Sequence, residues 1–215
     1  MIKLFYYFLP FIALFLPSLW VNYILKKYNK ILPEMPFTGR ELGKKILEEE
    51  KITNVSINPI QQLDHYNPKD KKIHIATDKL DKKSITSIAV VAHEIGHAIQ
   101  DKEKYKPLIL RQSLIEKTMI FQRIGSFLLI IGLPSIFAFT KSPFITLIAA
   151  IIIMGCLSTN VLIHLITLPV EFDASFKRAL PILKRYVPKE NMYQCKSVLR
   201  AAALTYLAQS IVSIF

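Results

Sequence analysis

Three long uncharged, mostly apolar runs are the feature that most constrains what this chain of 215 residues can fold into. They cover residues 4–25, 124–140 and 142–170, which gives lengths of 22, 17 and 29 residues. A helix that crosses a bilayer needs about 20 predominantly apolar residues, so each run has roughly the length of a membrane span. The composition agrees, because 52% of the residues are hydrophobic and the mean hydropathy is +0.33. We therefore expect an integral membrane protein.

The two ends of the chain allow more than one interpretation. A positive residue followed by an apolar stretch is also typical of a cleaved signal peptide. However, residues 18–21 offer no small-x-small cleavage site, and Pro10 and Pro17 interrupt the run, so we expect a retained anchor. Residues 201–215 are uncharged but short for a span. They form either a buried or interfacial helix or, extended by the residues before them, a fourth span.

The positive charges predict on which side of the membrane each polar segment lies. Of the 28 lysines and arginines, 18 lie in residues 26–117 and 7 in residues 177–200, whereas the turn between the second and third runs carries only Lys141. Positive segments next to spans stay in the cytoplasm, so we expect both polar segments there and the N-terminus and the Lys141 turn outside. Topology and attraction to anionic lipid then explain the net charge of +12 without nucleic acid.

The polar segment between the first two runs is expected to be a small α+β domain. The stretch TGRELGKKILEEEKI predicts a helix with Thr38 as its N-cap. The stretches NVSINPI and KKIHIATDKL predict two strands, and DHYNPKDKK between them predicts the turn of a β-hairpin. The strand KKIHIA is in turn a candidate edge for pairing with an extended peptide, unless it is itself paired and covered.

The next helix, SIAVVAHEIGHAIQ, carries two histidines four residues apart with a glutamate between them. His93 and His97 project from the same helix face about one turn apart, so both imidazoles can bind one metal ion. Glu94 follows His93 directly, where its carboxylate can take a proton from water without binding the metal. The alternative is a core helix whose polar residues have other partners. We favour a zinc site, because a metal ion satisfies buried polar groups in an otherwise apolar helix.

Catalytic zinc usually has three protein ligands, so a third has to come from elsewhere in the chain. His65 and His74 lie in the predicted hairpin, and His164 lies inside the third apolar run, where a lone polar residue more often packs against another helix. Glu171 is a further candidate, because the third run ends there and places this carboxylate at the cytoplasmic membrane surface. Spacing alone leaves these alternatives open, including an ordinary interfacial acid for Glu171.

Several stretches together resemble a known family. AHEIGHAIQD, followed by two apolar runs, TLPVEFDAS and RAAALTY, with DHYNPKDKKIHI upstream, is similar to the membrane-bound neutral zinc metallopeptidases of the YugP type. These are distant relatives of the HtpX and CAAX-prenyl endopeptidase families. The resemblance covers roughly residues 64–206. It implies a zinc-dependent endopeptidase in which His93, His97 and Glu171 bind Zn²⁺ and Glu94 is the catalytic base.

This chain departs from the wider group at one position. Related endopeptidases often have an aspartate four residues after the ligand glutamate, where it orients a zinc-bound histidine, and this chain has Ser175 there. Asp173 would face elsewhere on a regular α-helix, so the sequence does not identify the side chains that orient the histidines. Arg178, about two turns beyond Glu171, is a candidate for stabilising the oxyanion of the reaction. An interfacial arginine that faces lipid phosphate is an equal alternative.

Together these patterns predict a mainly α integral membrane protein with three or four transmembrane helices. Its small cytoplasmic α+β zincin-like domain is expected to consist of a helix, a β-hairpin and the His-Glu-x-x-His helix. The expected division is an N-terminal anchor (1–25), a cytoplasmic zincin-like segment (26–118), a transmembrane helical hairpin (119–170), a cytoplasmic helix with the third ligand (171–200) and a C-terminal apolar helix (201–215). The two cysteines, Cys156 and Cys195, predict no disulfide framework.

The expected function is zinc-dependent hydrolysis of a peptide or protein substrate at the cytoplasmic face of the lipid bilayer. A non-proteolytic membrane scaffold with a structural zinc site is the main alternative, and only Glu94 argues against it, because a structural site has no use for a base. A transporter is disfavoured, because the three apolar runs contain no carboxylate and His164 is their only ionisable group.

Overall fold

The computed structural model of the protein describes the backbone of residues 16–61, 63–157 and 159–213. Side chains are described for the same residues except 157, 159–162, 164, 165 and 206–213. The strands are β1 (Ser56–Ile60), β2 (His65–Asn67) and β3 (Lys72–Ala76). The helices are α1 (16–27), α2 (Gly39–Glu49), α3 (Thr77–Leu80), α4 (Ile85–Lys102), α5 (Lys106–Phe127), α6 (Leu133–Thr140), α7 (Pro143–Leu157), α8 (Thr159–Phe172), α9 (Leu180–Tyr186) and α10 (Met192–Ser213). Leu128–Gly132 and Asp173–Ala179 are π-helical, and Lys189–Asn191 is a 3₁₀ turn.

The chain divides into two compact units. The first comprises the described residues up to Tyr105 and from Leu168 onward, and the second is Lys106–Thr167. His93, Glu94, His97 and Glu171 all lie in the first unit, whereas the alternative candidate His164 belongs to the second. The site is therefore built within one unit from two segments that are far apart in the sequence.

Helix α4 forms the centre of the first unit. All of its residues from Ile85 to Gln100 are buried. Helix α2, the π-helical segment Asp173–Ala179 and helix α10 pack against it. The helix begins after Ser84, whose Oγ accepts a hydrogen bond from the backbone N–H of Ser87 at 3.1 Å. Side chains on α4 are thus held by a capped, fully enclosed helix.

Helix α2 confirms the predicted N-cap. Oγ1 of Thr38 accepts from the backbone N–H of Glu41 at 3.2 Å, and Oε2 of Glu41 accepts from the backbone N–H of Thr38 at 2.8 Å, which is a capping box. A Cβ on Gly43 would lie 2.5 Å from Cδ1 of Ile57 and 2.7 Å from Cγ1 of Val91. The missing side chain therefore lets α2 pack closely on both β1 and α4.

The predicted β-hairpin between NVSINPI and KKIHIATDKL is wrong, although a strand forms within each stretch; the end of the second stretch, Thr77–Leu80, is helix α3 instead. β1 pairs parallel with β3, with Ile57 opposite Ile73, and β2 pairs antiparallel with β3, with His65 opposite His74. The sheet order is β1-β3-β2. Strand β2 comes from inside the predicted turn, and three residues give too little alternation to be found from sequence. Since β3 is central and paired on both sides, it is no open edge for a peptide.

The predicted fold class, with three or four transmembrane helices, also has to be corrected. In the part of the chain that the structure describes, one helix is long and apolar enough to cross a membrane, the continuous stretch Lys106–Thr140 of 35 residues. Helix α7 is apolar but shorter. The third uncharged run misled the prediction because its last residues belong to the protein interior, where Val170 is fully buried. An uncharged run does not distinguish a buried segment from one in lipid.

The two predicted terminal segments are only partly described. The predicted anchor, 1–25, lies largely outside the described residues, which begin at residue 16 and are helical to residue 27. Residues 201–213 form the end of α10, and Ala201 and Ala203 are buried. The side chains beyond residue 205 lie outside the described ones.

Candidate metal centre

The three polar residues of the His-Glu-x-x-His motif lie on α4 and are almost completely buried. His93, Glu94 and His97 are 2%, 5% and 5% exposed. The two imidazole rings have centroids 4.8 Å apart and planes at 80°. Buried imidazole and carboxyl groups need polar or charged partners, so the surroundings of these side chains indicate what they bind.

Glu171, near the C-terminal end of α8, brings the first of these partners. Its side chain is fully buried, and its Oε2 lies 3.2 Å from Nε2 of His93 and 3.1 Å from Nε2 of His97. One ligand atom from each of the three residues lies within 4.8 Å of the others. The structure thus brings together the three side chains that the resemblance implied as metal ligands.

The two separations from Oε2 of Glu171 are close to those between the ligands of a tetrahedral metal ion. Zinc binds imidazole nitrogen and carboxylate oxygen at about 2.0 to 2.2 Å, so two ligand atoms at a tetrahedral angle lie about 3.3 to 3.5 Å apart. The two N···O separations of 3.2 and 3.1 Å are only slightly shorter. Two imidazoles and one carboxylate also form the donor set typical of a catalytic zinc site with one open position.

Ser175 orients the ring of His93. Nδ1 of His93 lies 2.8 Å from Oγ of Ser175, and that hydroxyl donates to the backbone carbonyl of Leu199 at 3.1 Å. Because the single hydroxyl proton goes to Leu199, Ser175 accepts from Nδ1–H of His93. Nε2 of His93 is then the unprotonated nitrogen of the neutral ring and faces Glu171.

Gln100 orients the ring of His97 in the same way. Its Oε1 lies 2.9 Å from Nδ1 of His97 and accepts a hydrogen bond from it. The amide nitrogen of Gln100 donates to Oδ2 of Asp173 at 2.8 Å and to the backbone carbonyl of Val170 at 2.9 Å. Since both donors of the amide are engaged, its oxygen must face the histidine, which leaves Nε2 of His97 as the ligand atom.

Three lone-pair atoms therefore converge at one point and require a cation between them. Burial by itself raises the pKa of Glu171, so its carboxylate needs a positive partner. Protons on the rings are one such partner, because a charged His97 and hydrogen bonds from His93 and His97 hold the pKa of Glu171 far below its ordinary value. A metal cation between the three atoms is another source of the positive charge that Glu171 needs. The hydrogen bonds at Nδ1 of both histidines leave their Nε2 atoms free to bind it.

Glu94 lies beside this cluster without belonging to it. It lines a cleft of about 150 Å³ together with His93, between α1, α4 and α10. Burial raises the pKa of the Glu94 carboxyl to about 7; His93 opposes this shift, whereas the negative charge of Glu171 adds to it. A buried carboxyl group with a raised pKa, placed beside the candidate ligands, is suited to taking up a proton.

Comparison with known proteins agrees with this donor set. Residues 3–215 match the model of a family described as "Putative neutral zinc metallopeptidase". The chain belongs to this family. It is 31% identical over 205 residues to the "Putative membrane protease YugP" of Bacillus subtilis (strain 168), and the alignment covers 92% of this chain and 87% of that protein. No solved structure matches the chain. The resemblance to the YugP-type metallopeptidases is confirmed, and membership of a zinc peptidase family implies zinc as the metal.

The π-helical segment Asp173–Ala179 explains the positions of two side chains, Asp173 and Arg178, which would point elsewhere on a regular α-helix. In a π-helix the backbone bonds run from residue i to i+5, so residues five apart lie over one another. Nε of Arg178 accordingly donates to Oδ2 of Asp173 at 2.7 Å, and Asp173 supports Gln100 behind His97. Asp173 therefore belongs to the hydrogen-bond network of the histidines, contrary to the expectation from α-helical spacing.

The contacts of Arg178 connect it to the periphery of the site. Besides Asp173, it donates to Oε2 of Glu103 at 2.8 Å, and its guanidinium lies 5.5 Å from the ring centroid of Tyr105. These contacts fix the π-helical segment to the end of α4. A role of Arg178 as an oxyanion stabiliser stays a prediction.

Gly96 lets the two halves of the site approach each other. A Cβ on this residue would lie 2.6 Å from the backbone oxygen of Ala174, far inside van der Waals contact. α4 and the π-helical segment therefore touch backbone to backbone between His97 and Ser175. This contact accounts for a glycine, a poor helix former, inside the motif.

The other histidines have different surroundings. His65 and His74 stack on each other across β2 and β3 with ring centroids 4.8 Å apart, and Nδ1 of His65 lies 2.9 Å from the backbone oxygen of Leu63. The side chain of His164 lies outside the described ones. The described third partner of His93 and His97 is thus Glu171.

Proposed function

We propose that this protein is a membrane-bound zinc endopeptidase that cleaves peptide bonds with Glu94 as its general base. The observation that carries the proposal is the convergence of Nε2 of His93 and Nε2 of His97 on Oε2 of Glu171, 3.2 and 3.1 Å away, beside a cleft lined by Glu94. Membership of the zinc metallopeptidase family supports it independently.

His93, His97 and Glu171 are the residues that would hold the metal. Zinc at this site supplies Lewis-acid chemistry, because it lowers the pKa of water toward neutrality and polarises a carbonyl group. The carboxylate of Glu171 would neutralise part of its charge, and His93 would bring it next to the cleft that this residue lines. Ser175 and Gln100 act as positioning residues, because they hold both imidazoles with Nε2 toward the metal.

Glu94 carries the proton transfers in this proposal. Its carboxylate takes a proton from the attacking water and later delivers it to the leaving amine of the substrate. Burial supports this role, because it raises the pKa of the Glu94 carboxyl and so makes the carboxylate a stronger base than an exposed glutamate. A site with a purely structural metal would have no use for such a group.

The membrane association rests on a relative and on the second unit. The similar protein of Bacillus subtilis is named a membrane protease, and Lys106–Thr140 is long and apolar enough to cross a bilayer. We propose that this stretch crosses the bilayer and that the Lys141 turn lies outside. The apolar residues after the turn, which begin with helix α7, then lead the chain back across, so that both parts of the lysine-rich first unit lie in the cytoplasm. Peptide or protein substrates and the bilayer would be the partners.

Proteolysis by the purified full-length protein tests the proposal. Detergent-solubilised protein should cleave an unstructured reporter protein internally, lose this activity after treatment with a chelator, and regain it with about one zinc ion per chain. Lack of cleavage in a sample that contains one zinc per chain and melts cooperatively would contradict the proposal. It would instead favour a scaffold with a structural metal.

A further inference from the structure

The walls of the cleft beside Glu94 are mostly apolar. Helix α1 contributes two aliphatic side chains, α4 and the loop before β2 one each, and α10 adds two small residues. These lining residues are Val21, Leu25, Leu63, Val90, Ala202 and Thr205. The hydroxyl of Thr205 donates to the backbone oxygen of Ala201 at 2.9 Å, so its hydrogen-bonding need is met within α10. The described side chains of α10 on this wall, Ala202 and Thr205, therefore need no hydrogen bond from a bound side chain.

The charged residues in the cleft satisfy each other. Lys79 forms an ion pair with Oδ2 of Asp64, and the backbone N–H of Ala76 donates to Oδ1 of Asp64 at 2.7 Å. The side chains of Asp64 and Lys79 are only 12% and 17% exposed. Away from Glu94 and His93, the remaining lining residues are the neutral Ser18 and Asn22. Among the described lining residues other than Glu94 and His93, a charged substrate side chain would therefore find no oppositely charged group that is not already paired, and it would lose its hydration.

The size of the cleft sets the size of its occupant. A cavity of about 150 Å³ lined by aliphatic and aromatic side chains is known to accept a benzene molecule, and the cleft has a volume of about 150 Å³. One leucine or phenylalanine side chain fits such a space, whereas a whole peptide segment does not.

We propose that this cleft is the specificity pocket of the enzyme and that it binds one leucine- or phenylalanine-sized side chain of the substrate next to the bond that is cleaved. The inference rests on the proposed peptidase function. The position next to the bond follows from the lining, because His93 and Glu94 line the same cleft and act on the peptide group itself. Leu25, Ala202 and Thr205 are the specificity-determining residues.

A peptide series measures this preference on the unmodified protein. The peptides differ in one residue only, which is Gly, Ala, Leu, Phe, Asp or Lys. In one set this residue stands directly before the cleaved bond, and in a second set directly after it. In an apolar pocket, one methylene group changes kcat/KM by about 10- to 200-fold. At one of the two positions, Leu and Phe should therefore exceed Gly, Asp and Lys by at least about tenfold in kcat/KM.

Substitutions on α10 then locate the pocket. Thr205→Leu fills the cleft and should lower the ratio of Leu to Ala cleavage at least about tenfold, since the larger side chain no longer fits. Ser197→Leu is the matched control, because Ser197 lies on the same helix outside the cleft and its hydroxyl also bonds to the carbonyl four residues earlier, that of Tyr193. Leu25→Ala enlarges the cleft and should raise cleavage of an additional peptide, with tryptophan at the same position, relative to the Leu peptide. Zinc content and melting temperature show that each variant is folded.

The outcomes separate the inference from the function on which it rests. Preference for Leu and Phe in the unmodified protein, altered in Thr205→Leu and kept in Ser197→Leu, supports the pocket. Equal cleavage of all six peptides at both positions, or a preference for Asp or Lys, overturns the inference while leaving the peptidase function intact. The inference is also overturned if Thr205→Leu and Leu25→Ala are folded and cleave the peptides with the same preference as the unmodified protein. Absence of cleavage for every peptide overturns both.

Discussion

Nδ1 of His93 donates a hydrogen bond to Oγ of Ser175 across 2.8 Å, which joins α4 to the π-helical segment that follows Glu171. The same hydroxyl donates to the backbone oxygen of Leu199 at 3.1 Å. An aspartate here could accept from His93, but its carboxylate would face the Leu199 carbonyl without a proton to donate. The serine is therefore a consistent replacement for the aspartate of related endopeptidases.

Ser175→Ala should lower the zinc affinity of the protein. The variant removes the acceptor that holds Nε2 of His93 toward the metal, and loss of such a partner typically costs about 10- to 100-fold in metal affinity. Competition with a zinc chelator measures the effect, with Ser197→Ala on α10 as a control outside the site. Equal zinc affinity in Ser175→Ala and the unmodified protein would show that Ser175 does not position the histidine.

Gly96→Ala should destabilise the protein and weaken the metal centre together. The new Cβ would lie 2.6 Å from the backbone oxygen of Ala174, so α4 and the π-helical segment would have to move apart. Overpacking of this kind typically costs about 1 to 3 kcal/mol. Gly155→Ala on α7 is the control, because among the described residues no atom outside the adjoining backbone of its own helix lies within 4 Å of the added Cβ, and alanine favours the helix. A melting temperature of Gly96→Ala equal to that of the unmodified protein would contradict the close approach.

The sequence predicts the parts of this site that depend on local periodicity. Helical spacing places His93 and His97 on one face, and Thr38 marks the start of α2, because both depend on neighbouring residues only. Gln100 was missed although it carries such a signal, since it lies three residues after His97 and so on the same face. Its partner Asp173 carries none, because a π-helical segment is not visible in the apolar pattern.

The remaining features depend on contacts between distant segments. The pairing of Glu171 with His97 joins residues 74 positions apart, and only the family resemblance indicated it. The parallel pairing of β1 with β3 replaced the hairpin because β2 takes the antiparallel edge of β3. The third uncharged run was assigned to the membrane up to residue 170, although its end at Val170 is buried by protein.

Glu171→Ala should lower zinc occupancy as strongly as His93→Ala does. A site with three protein ligands loses a direct bond in either case, and Oε2 of Glu171 is the atom shared by both histidines. Metal analysis of the purified variants gives zinc per chain. Full zinc content in Glu171→Ala would place the third ligand elsewhere, with His164 and Asp173 as the next residues to substitute.

Cysteine labelling tests the proposed orientation in the membrane. In a background with Cys156 and Cys195 replaced by alanine, Lys69→Cys in the exposed β2–β3 turn and Lys141→Cys after α6 should label oppositely. Because the lysine-rich first unit is expected in the cytoplasm, an impermeant maleimide should reach only position 141 in intact cells. Labelling of position 69 under the same conditions would reverse the orientation.

The substitution Glu94→Gln tests the central claim most directly, since it separates an enzyme from a scaffold with a structural metal. Glutamine keeps nearly the same shape but cannot accept the proton of the attacking water. Zinc per chain, melting temperature and peptide cleavage are measured on one detergent-solubilised sample. The account predicts unchanged zinc content and a loss of cleavage of at least about 10²- to 10⁴-fold, the usual contribution of general acid-base catalysis. Retained zinc together with unchanged cleavage would contradict the assignment of Glu94 as the base.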